Sequence, residues 1–212
     1  MYILFEGIDT CGKSTQIELV AQYFNGIRGF SPEKSKAKAI VSTETDIIIT
    51  KEPGGTAFGK KAREILLADS LASKRAELLL FLADRAEHYQ QIVKQNKNRT
   101  VISDRGFLSG IGYALANGDF EFDYLVELNR FALEGNFPDL IVLFIIDIET
   151  LKERTSQKIL DGIELRGLEY LILVQKHMQE SLEKLDIPYL LIDATDTIES
   201  ITKSITDKIS NM

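Results

Sequence analysis

Apolar residues gather in five short runs, over residues 2–5, 46–50, 100–103, 140–146 and 189–192. Each is rich in Ile, Val, Leu or Phe and lacks polar alternation, the pattern of parallel strands covered on both faces. Between them the apolar positions return at helical spacing. Residues 13–24 carry Ile17, Val20, Ala21 and Phe24; residues 73–95 carry Ala76, Leu79, Leu80, Ala83, Ala86 and Val93. Further helices are predicted over 149–158, 168–185 and 197–209. Strands alternating with helices predict an α/β fold with a five-stranded parallel sheet, right-handed crossovers and helices flanking it. Residues 26–45 are polar and basic with Gly and Ser-Pro punctuation, an exposed connection or a short helical excursion. Residues 155–167 mix charge and glycine, as a plain surface loop or a mobile lid would.

Composition narrows the picture. A chain of 212 residues, 44% hydrophobic, can bury one substantial core, so 1–212 is expected to be one domain. The net charge of −7 argues against general attraction to nucleic acid or to a membrane surface. A polyanionic ligand must then be held by local cations. Cys11 is the only cysteine, which excludes an intrachain disulfide and favours a reducing, cytoplasmic setting. The start of the chain, MYILFEG, does not read as a signal peptide, and run 140–146 is far too short to span a bilayer.

Candidate chemistry begins directly after the first run. Gly7-Ile8-Asp9-Thr10-Cys11-Gly12-Lys13-Ser14 fits G-x-x-x-x-G-K-[ST] at every position. Glycines let the backbone turn so that successive N–H groups face phosphate oxygens at a helix N-terminus. In such a loop the lysine reaches the β/γ-phosphates and the hydroxyl binds Mg²⁺. The ATP site is therefore expected on Gly7, Ile8, Asp9, Thr10, Cys11, Gly12, Lys13, Ser14 and Thr15, in a three-layer P-loop NTPase fold. The motif does not name the phosphate acceptor. No N-K-x-D guanine signature is present in the sequence.

Other residues can be read in two ways. Phe81 and Arg85 lie four apart on one helical face, where a ring and a guanidinium can stack a base and donate to its carbonyl edge. Phe81 can equally be a core aromatic, and Arg85 a partner for a carboxylate. Asp104 ends the 100–103 run, where α/β sheets place ligands, and its carboxylate can hold Mg²⁺. Arg105 can brace a phosphate bidentately, or form an Asp–Arg pair capping the next helix. Lys51-Glu52-Pro53-Gly54-Gly55 must turn, as a connector or as a functional loop. Ser109 and Tyr113 share a helical face that points to a pocket or to the core.

Together these pieces resemble the thymidylate kinase family, from residue 1 to about 197. The P-loop carries an acid, Asp9, at its third position. Lys51-Glu52-Pro53-Gly54-Gly55-Thr56 is similar to (R/K)-E-P-G-G-T. Residues 81–88 are similar to F-x-A-x-R-x-x-H, and Asp104-Arg105 with Ser109 and Tyr113 to D-R-[YF]-x-x-S-x-x-A-Y. Pro138-Asp139-Leu140 leads through an apolar run to Asp147 and Arg154 in the manner of the family's P-D-L element. The resemblance implies ATP-dependent phosphorylation of dTMP with Mg²⁺ on Ser14 and Asp104, in a homodimer. It implies dTMP contacts from Asp9, Lys51, Glu52, Pro53, Phe81, Arg85, Arg105, Ser109 and Tyr113. Lys13, Arg105 and Asp9 would be catalytic.

Three departures stand out. Family members keep a catalytic arginine in the P-loop or in the lid, yet Ile8–Cys11 carries no basic side chain. The lid segment reads Asp161-Gly162-Ile163-Glu164, with glycine where the arginine is frequent. Among Arg154, Lys158 and Arg166, the expectation falls on Arg166. Lys51 replaces the commoner arginine, and Ala114 stands where glutamine is frequent. His88 is expected on the helix surface or supporting a neighbour, and His177 on the surface.

Overall fold

The structure is a computed structural model, described here over residues 1–25, 46–68, 71–118, 120–155 and 167–212. Five strands form one sheet in the order β2–β3–β1–β4–β5, every pairing parallel. They are β1 Tyr2–Glu6, β2 Ile47–Lys51, β3 Thr100–Asp104, β4 Leu140–Ile145 and β5 Tyr189–Asp193. Each falls on one of the five apolar runs. The central strands β1 and β4 are buried on both faces, as continuous apolar runs require. At the sheet edge β5 behaves otherwise: Tyr189 and Leu191 are 40% and 42% exposed. The strand pairs with β4 on one edge only and is packed by the helix Ile198–Ser210, with Leu190 and Ile192 turned to the core.

Eight α-helices surround the sheet among the described residues: α1 Lys13–Phe24, α2 Ala57–Leu67, α3 Lys74–His88, α4 Phe107–Ala116, α5 Phe122–Ala132, α6 Ile148–Thr155, α7 Leu168–Lys184 and α8 Ile198–Ser210. Side-chain oxygens start four of them, α6 through Asp147, which accepts from the Thr150 N–H at 2.7 Å. Thr56 accepts from the Gly59 N–H, Ser73 from that of Ala76 and Thr197 from that of Ser200. No side chain caps α1, which begins at Gly12 in a left-handed conformation and leaves its first amides to the loop. The helix expected over 73–95 changes pitch after His88, into a π turn at Tyr89–Val93 and a 3₁₀ turn at Lys94–Asn96. Helices α2 and α5 were not anticipated, and α4 only as a helix following Arg105 with Ser109 and Tyr113 on one face. Residues 26–45 and 156–166, with the expected connection, most of the expected lid and Arg166, lie outside the described residues. No described helix is long and apolar enough to cross a membrane.

The order of strands puts β1 between β3 and β4, so the carboxyl ends of β1, β2 and β3 stand side by side. Backbone bonds carry the alignment past the strand ends: Arg105 N–H donates to Phe5 O at 2.9 Å and Glu52 N–H to Asp104 O at 3.0 Å. The motifs following these strands are thereby brought to one crevice.

Candidate active site

The chain leaves β1 at Glu6 and turns at once through the P-loop. Gly7 has φ 143°, and a Cβ there would stand 2.9 Å from both Cys11 Sγ and Phe144 O. Only glycine fits that turn. The Lys13 ammonium is buried, donating to Gly7 O at 3.0 Å and Ile8 O at 2.8 Å. Ser14 Oγ donates to Asp104 Oδ2 at 3.4 Å. The other oxygen, Asp104 Oδ1, is buried without a hydrogen-bond partner among the described residues. A hydroxyl beside an unsatisfied carboxylate oxygen is a donor set suited to a hard cation such as Mg²⁺.

At the end of β3, Arg105 adopts φ 68°, turning its side chain toward the loop. Its Nη2 pairs with Asp9 Oδ1 at 2.6 Å, while Nη1 donates to Gly7 O at 2.7 Å and Ser109 Oγ at 3.1 Å. Burial alone would depress this guanidinium, but Asp9 beside it, with Tyr113 and Asp104, holds it above its ordinary range. It is a permanent cation. The Ser109 hydroxyl donates to Glu6 Oε2, and its backbone N–H reaches Glu6 Oε1 at 3.3 Å. Burial pushes the Glu6 carboxyl up, against the opposing bonds from Ser109 and the nearby Arg105 and Arg85.

The end of β2 supplies a third group. Glu52, joined to Pro53 by a cis peptide, is buried against α3. Its Oε2 accepts from Arg85 Nε at 2.9 Å. Oε1 lies 2.8 Å from His88 Nδ1, though without aligned hydrogen-bond geometry. The other ring nitrogen of His88 is 2.8 Å from Thr50 Oγ1. Burial would raise the Glu52 carboxyl, but Arg85 and His88 together hold it below the usual range. Arg85 Nη1 also donates to Asn129 Oδ1 at 2.7 Å. Beside this cluster the buried Asp84 accepts from the Gly54 N–H at 3.3 Å. Burial, and then the neighbouring Glu52, push its carboxyl up to about 6.

Two cavities meet at these residues. One runs along the P-loop past Lys13, Ser14 and Asp104. The other is walled by Phe81, Arg85, Pro53, Ser109, Gly110 and Tyr113. Asp9, Glu52, Arg63 and Arg105 line both.

A sequence model described as thymidylate kinase matches residues 5–205. The chain belongs to the thymidylate kinase family. It is 65% identical to a thymidylate kinase of Sulfurovum sp. (strain NBC37-1) over 205 residues, 97% of each chain. A thymidylate kinase of Sulfurimonas denitrificans (strain ATCC 33889 / DSM 1251) is 46% identical over 210 residues, 99% of this chain and 100% of that one. The crystal structure of thymidylate kinase from Ehrlichia chaffeensis superposes with a TM-score of 0.72 at 25% identity, covering 100% of this chain and 98% of that one.

Within this thymidylate kinase family member the crevice gathers nearly all of the expected set. Residues 9–15 with Asp104 line or adjoin the P-loop cavity; Asp9, Glu52, Pro53, Phe81, Arg85, Arg105, Ser109 and Tyr113 line the other. Lys51 lines the P-loop cavity alone. His88, fully buried, supports Glu52 and does not lie on the helix surface. Sequence reasoning missed Arg63 on α2, whose Nη1 donates to Pro53 O at 3.3 Å. It also missed Glu6, Asp84 and Asn129. A carboxylate closing an apolar strand just before the P-loop was a usable sign for Glu6; nothing local marks Asn129. Arg154, set aside in favour of Arg166, bridges Thr10 O at 3.4 Å and Ala194 O at 2.8 Å.

Proposed function

We propose that this chain transfers the γ-phosphoryl group of ATP to dTMP, giving ADP and dTDP, with Mg²⁺ accompanying the nucleotide. The observation that carries the reading is the shared wall of the two cavities. A triphosphate on the P-loop and a monophosphate in the second cavity would meet at Asp9 and Arg105. The acceptor is already an anionic phosphate and needs no strong general base. Catalysis is then in-line positioning and charge neutralisation.

In this reading the P-loop amides from Gly7 to Thr15 cradle the ATP phosphates, and Lys13 exchanges its loop carbonyls for phosphate oxygens. Arg105 braces the acceptor phosphate, and Asp9 holds Arg105 while facing the sugar. Phe81 stacks on thymine and Arg85 donates to its carbonyl edge. Ser109, Tyr113, Pro53 and Glu52 shape the pocket, and Lys51 adds charge on the phosphate side. Mg²⁺, held by Ser14 and Asp104, would orient and neutralise the ATP phosphates when bound. Arg166, within a lid at 155–167, enters the proposal on the sequence alone, as the cation that closes over the transferring group. We read 1–212 as one domain of a cytoplasmic homodimer, with small-molecule substrates and neither nucleic acid nor membrane as partner.

The test is ADP release with dTMP, dUMP, dCMP or AMP as acceptor. The highest kcat/KM is expected with dTMP. Preference for AMP, or ATP hydrolysis that ignores the acceptor, refutes the reading.

A further inference from the structure

Arg85 is 2% exposed, and side chains from two other elements orient it. Glu52, beyond β2, takes its Nε hydrogen at 2.9 Å; Asn129, on α5, takes an Nη1 hydrogen at 2.7 Å. A guanidinium presents five N–H donors in a rigid planar fork. Fixing Nε alone leaves the fork free to swing about that bond; fixing Nη1 as well sets its roll. The edge left over stands close to Gly110, where a Cβ would lie 3.4 Å from Nη2 and 3.5 Å from Nη1. Gly110 and Arg85 line the acceptor cavity together with Phe81.

Asn129 is itself held. It is buried, and its Nδ2 donates to Leu125 O at 2.8 Å, one turn earlier on α5. Flipping the amide would set Nδ2 against the guanidinium donors and Oδ1 against a carbonyl. The backbone of α5 therefore dictates that an acceptor faces Arg85.

We infer that Asn129 is a positioning residue for acceptor recognition, setting the roll of Arg85 so that its free edge meets the carbonyl edge of a pyrimidine stacked on Phe81. The inference rests on the dTMP reading above. Asn129 touches no substrate; it acts through Arg85.

The experiment compares the parent protein with Asn129→Leu, which keeps the branched outline but removes the acceptor, and Asn129→Asp, which keeps an acceptor for Nη1. Steady-state KM for dTMP and for ATP, and the kcat/KM ratio of dTMP to dCMP, are measured with thermal unfolding alongside. In dCMP a 4-amino donor replaces the 4-carbonyl acceptor. Asn129→Leu is expected to raise the dTMP KM about tenfold, as loss of a buried bond to a charged group does. Its ATP KM should stay within about twofold, and the dTMP:dCMP ratio should shrink. Asn129→Asp, whose second oxygen loses the bond to Leu125 O, should raise the dTMP KM less than Asn129→Leu does, because it keeps the acceptor for Nη1. Should Asn129→Leu not fold, Asn129→Ser, too short to reach Arg85, carries the same expectation. An unchanged dTMP KM, equal rises in both KM values, or Asn129→Asp behaving like Asn129→Leu overturns the positioning role. A parent protein without dTMP-dependent turnover overturns instead the function on which it rests.

Discussion

Lys13 rests on the carbonyls of its own loop, so its ammonium must change partners to meet a phosphate. Those carbonyls keep it desolvated and near the place where charge develops. Lys13→Ala should therefore lower turnover at saturating substrates by at least about a hundredfold, read as ADP release, with the fold intact by circular dichroism. Asp84 gives a second expectation, set by pH. Its folded carboxyl sits at about 6 rather than the ordinary 3.8, so the folded state holds the proton more tightly than the unfolded one. Stability from this group is complete below the lower value and is lost as pH rises through about 6, a difference of about 3 kcal/mol. Asp84→Asn keeps an oxygen for the Gly54 amide without the charge. It should be the more stable protein at pH 8 and equal to the parent below pH ~4 by denaturant melts, since the linkage has then vanished. An advantage independent of pH would refute this assignment. At this scale the chain was legible wherever chemistry demands a fixed spacing: Lys13 and Ser14 in one loop, Asp104 and Arg105 at one strand end. It was illegible where a residue acts through a partner far along the chain. Arg85 and Asn129 are 44 positions apart, Glu6 and Ser109 103.

Between elements, α2 closes on α3 through a glycine. A Cβ on Gly59 would fall 2.0 Å from Asp84 Oδ1, closer than any Cβ contact allows, and 3.1 Å from Gly54 N, a tight approach to backbone. Gly59→Ala must push α2 away from α3 and from the Glu52–Gly55 turn. Overpacking of this kind costs about 1–3 kcal/mol, or roughly 2–4 °C in Tm per kcal/mol for a chain of this size. Because the turn carries Glu52, the dTMP KM should rise while the ATP KM holds. Equal effects on both substrates would mean that the strain spreads to the P-loop. The strands were readable because burial on both faces leaves no room for polar alternation, and β1 and β4 obey that rule fully. The bounds of helix α4 were hidden for a related reason: FLSGIGYALA is apolar nearly all round, with six of its ten residues buried, so no stripe marks where the helical period starts and stops. The pitch change at Tyr89–Val93 has no local signal, because apolar spacing alone does not distinguish α from π turns.

For the whole molecule, parallel pairing followed from strand–helix alternation, but the order β2–β3–β1–β4–β5 did not, since every order of buried strands leaves the same apolar runs. The order matters because it sets the three motif-bearing strand ends together. Quaternary structure is the remaining level. Phe131 is 85% exposed, Leu79 61% and Tyr124 56%, with Phe58 and Ile65 also exposed. All lie on α2, α3 and α5, of which α3 contacts the other two. A surface of large apolar side chains gathered on neighbouring helices is the kind that a second copy covers. The same helices build the acceptor site, since α3 carries Phe81 and Arg85 and α5 carries Asn129. In the proposed homodimer, loss of the partner should therefore loosen dTMP binding before it touches the P-loop between β1 and α1. The parent protein is expected at twice the chain mass by sedimentation equilibrium. Leu79→Arg, which sets a charge in the middle of that surface, should sediment as one chain with a dTMP KM raised several-fold and an ATP KM little changed. A parent protein of single-chain mass would end the proposal. A Leu79→Arg variant that remains a dimer would move the interface elsewhere, because an unpaired charge is not tolerated at the centre of an apolar contact.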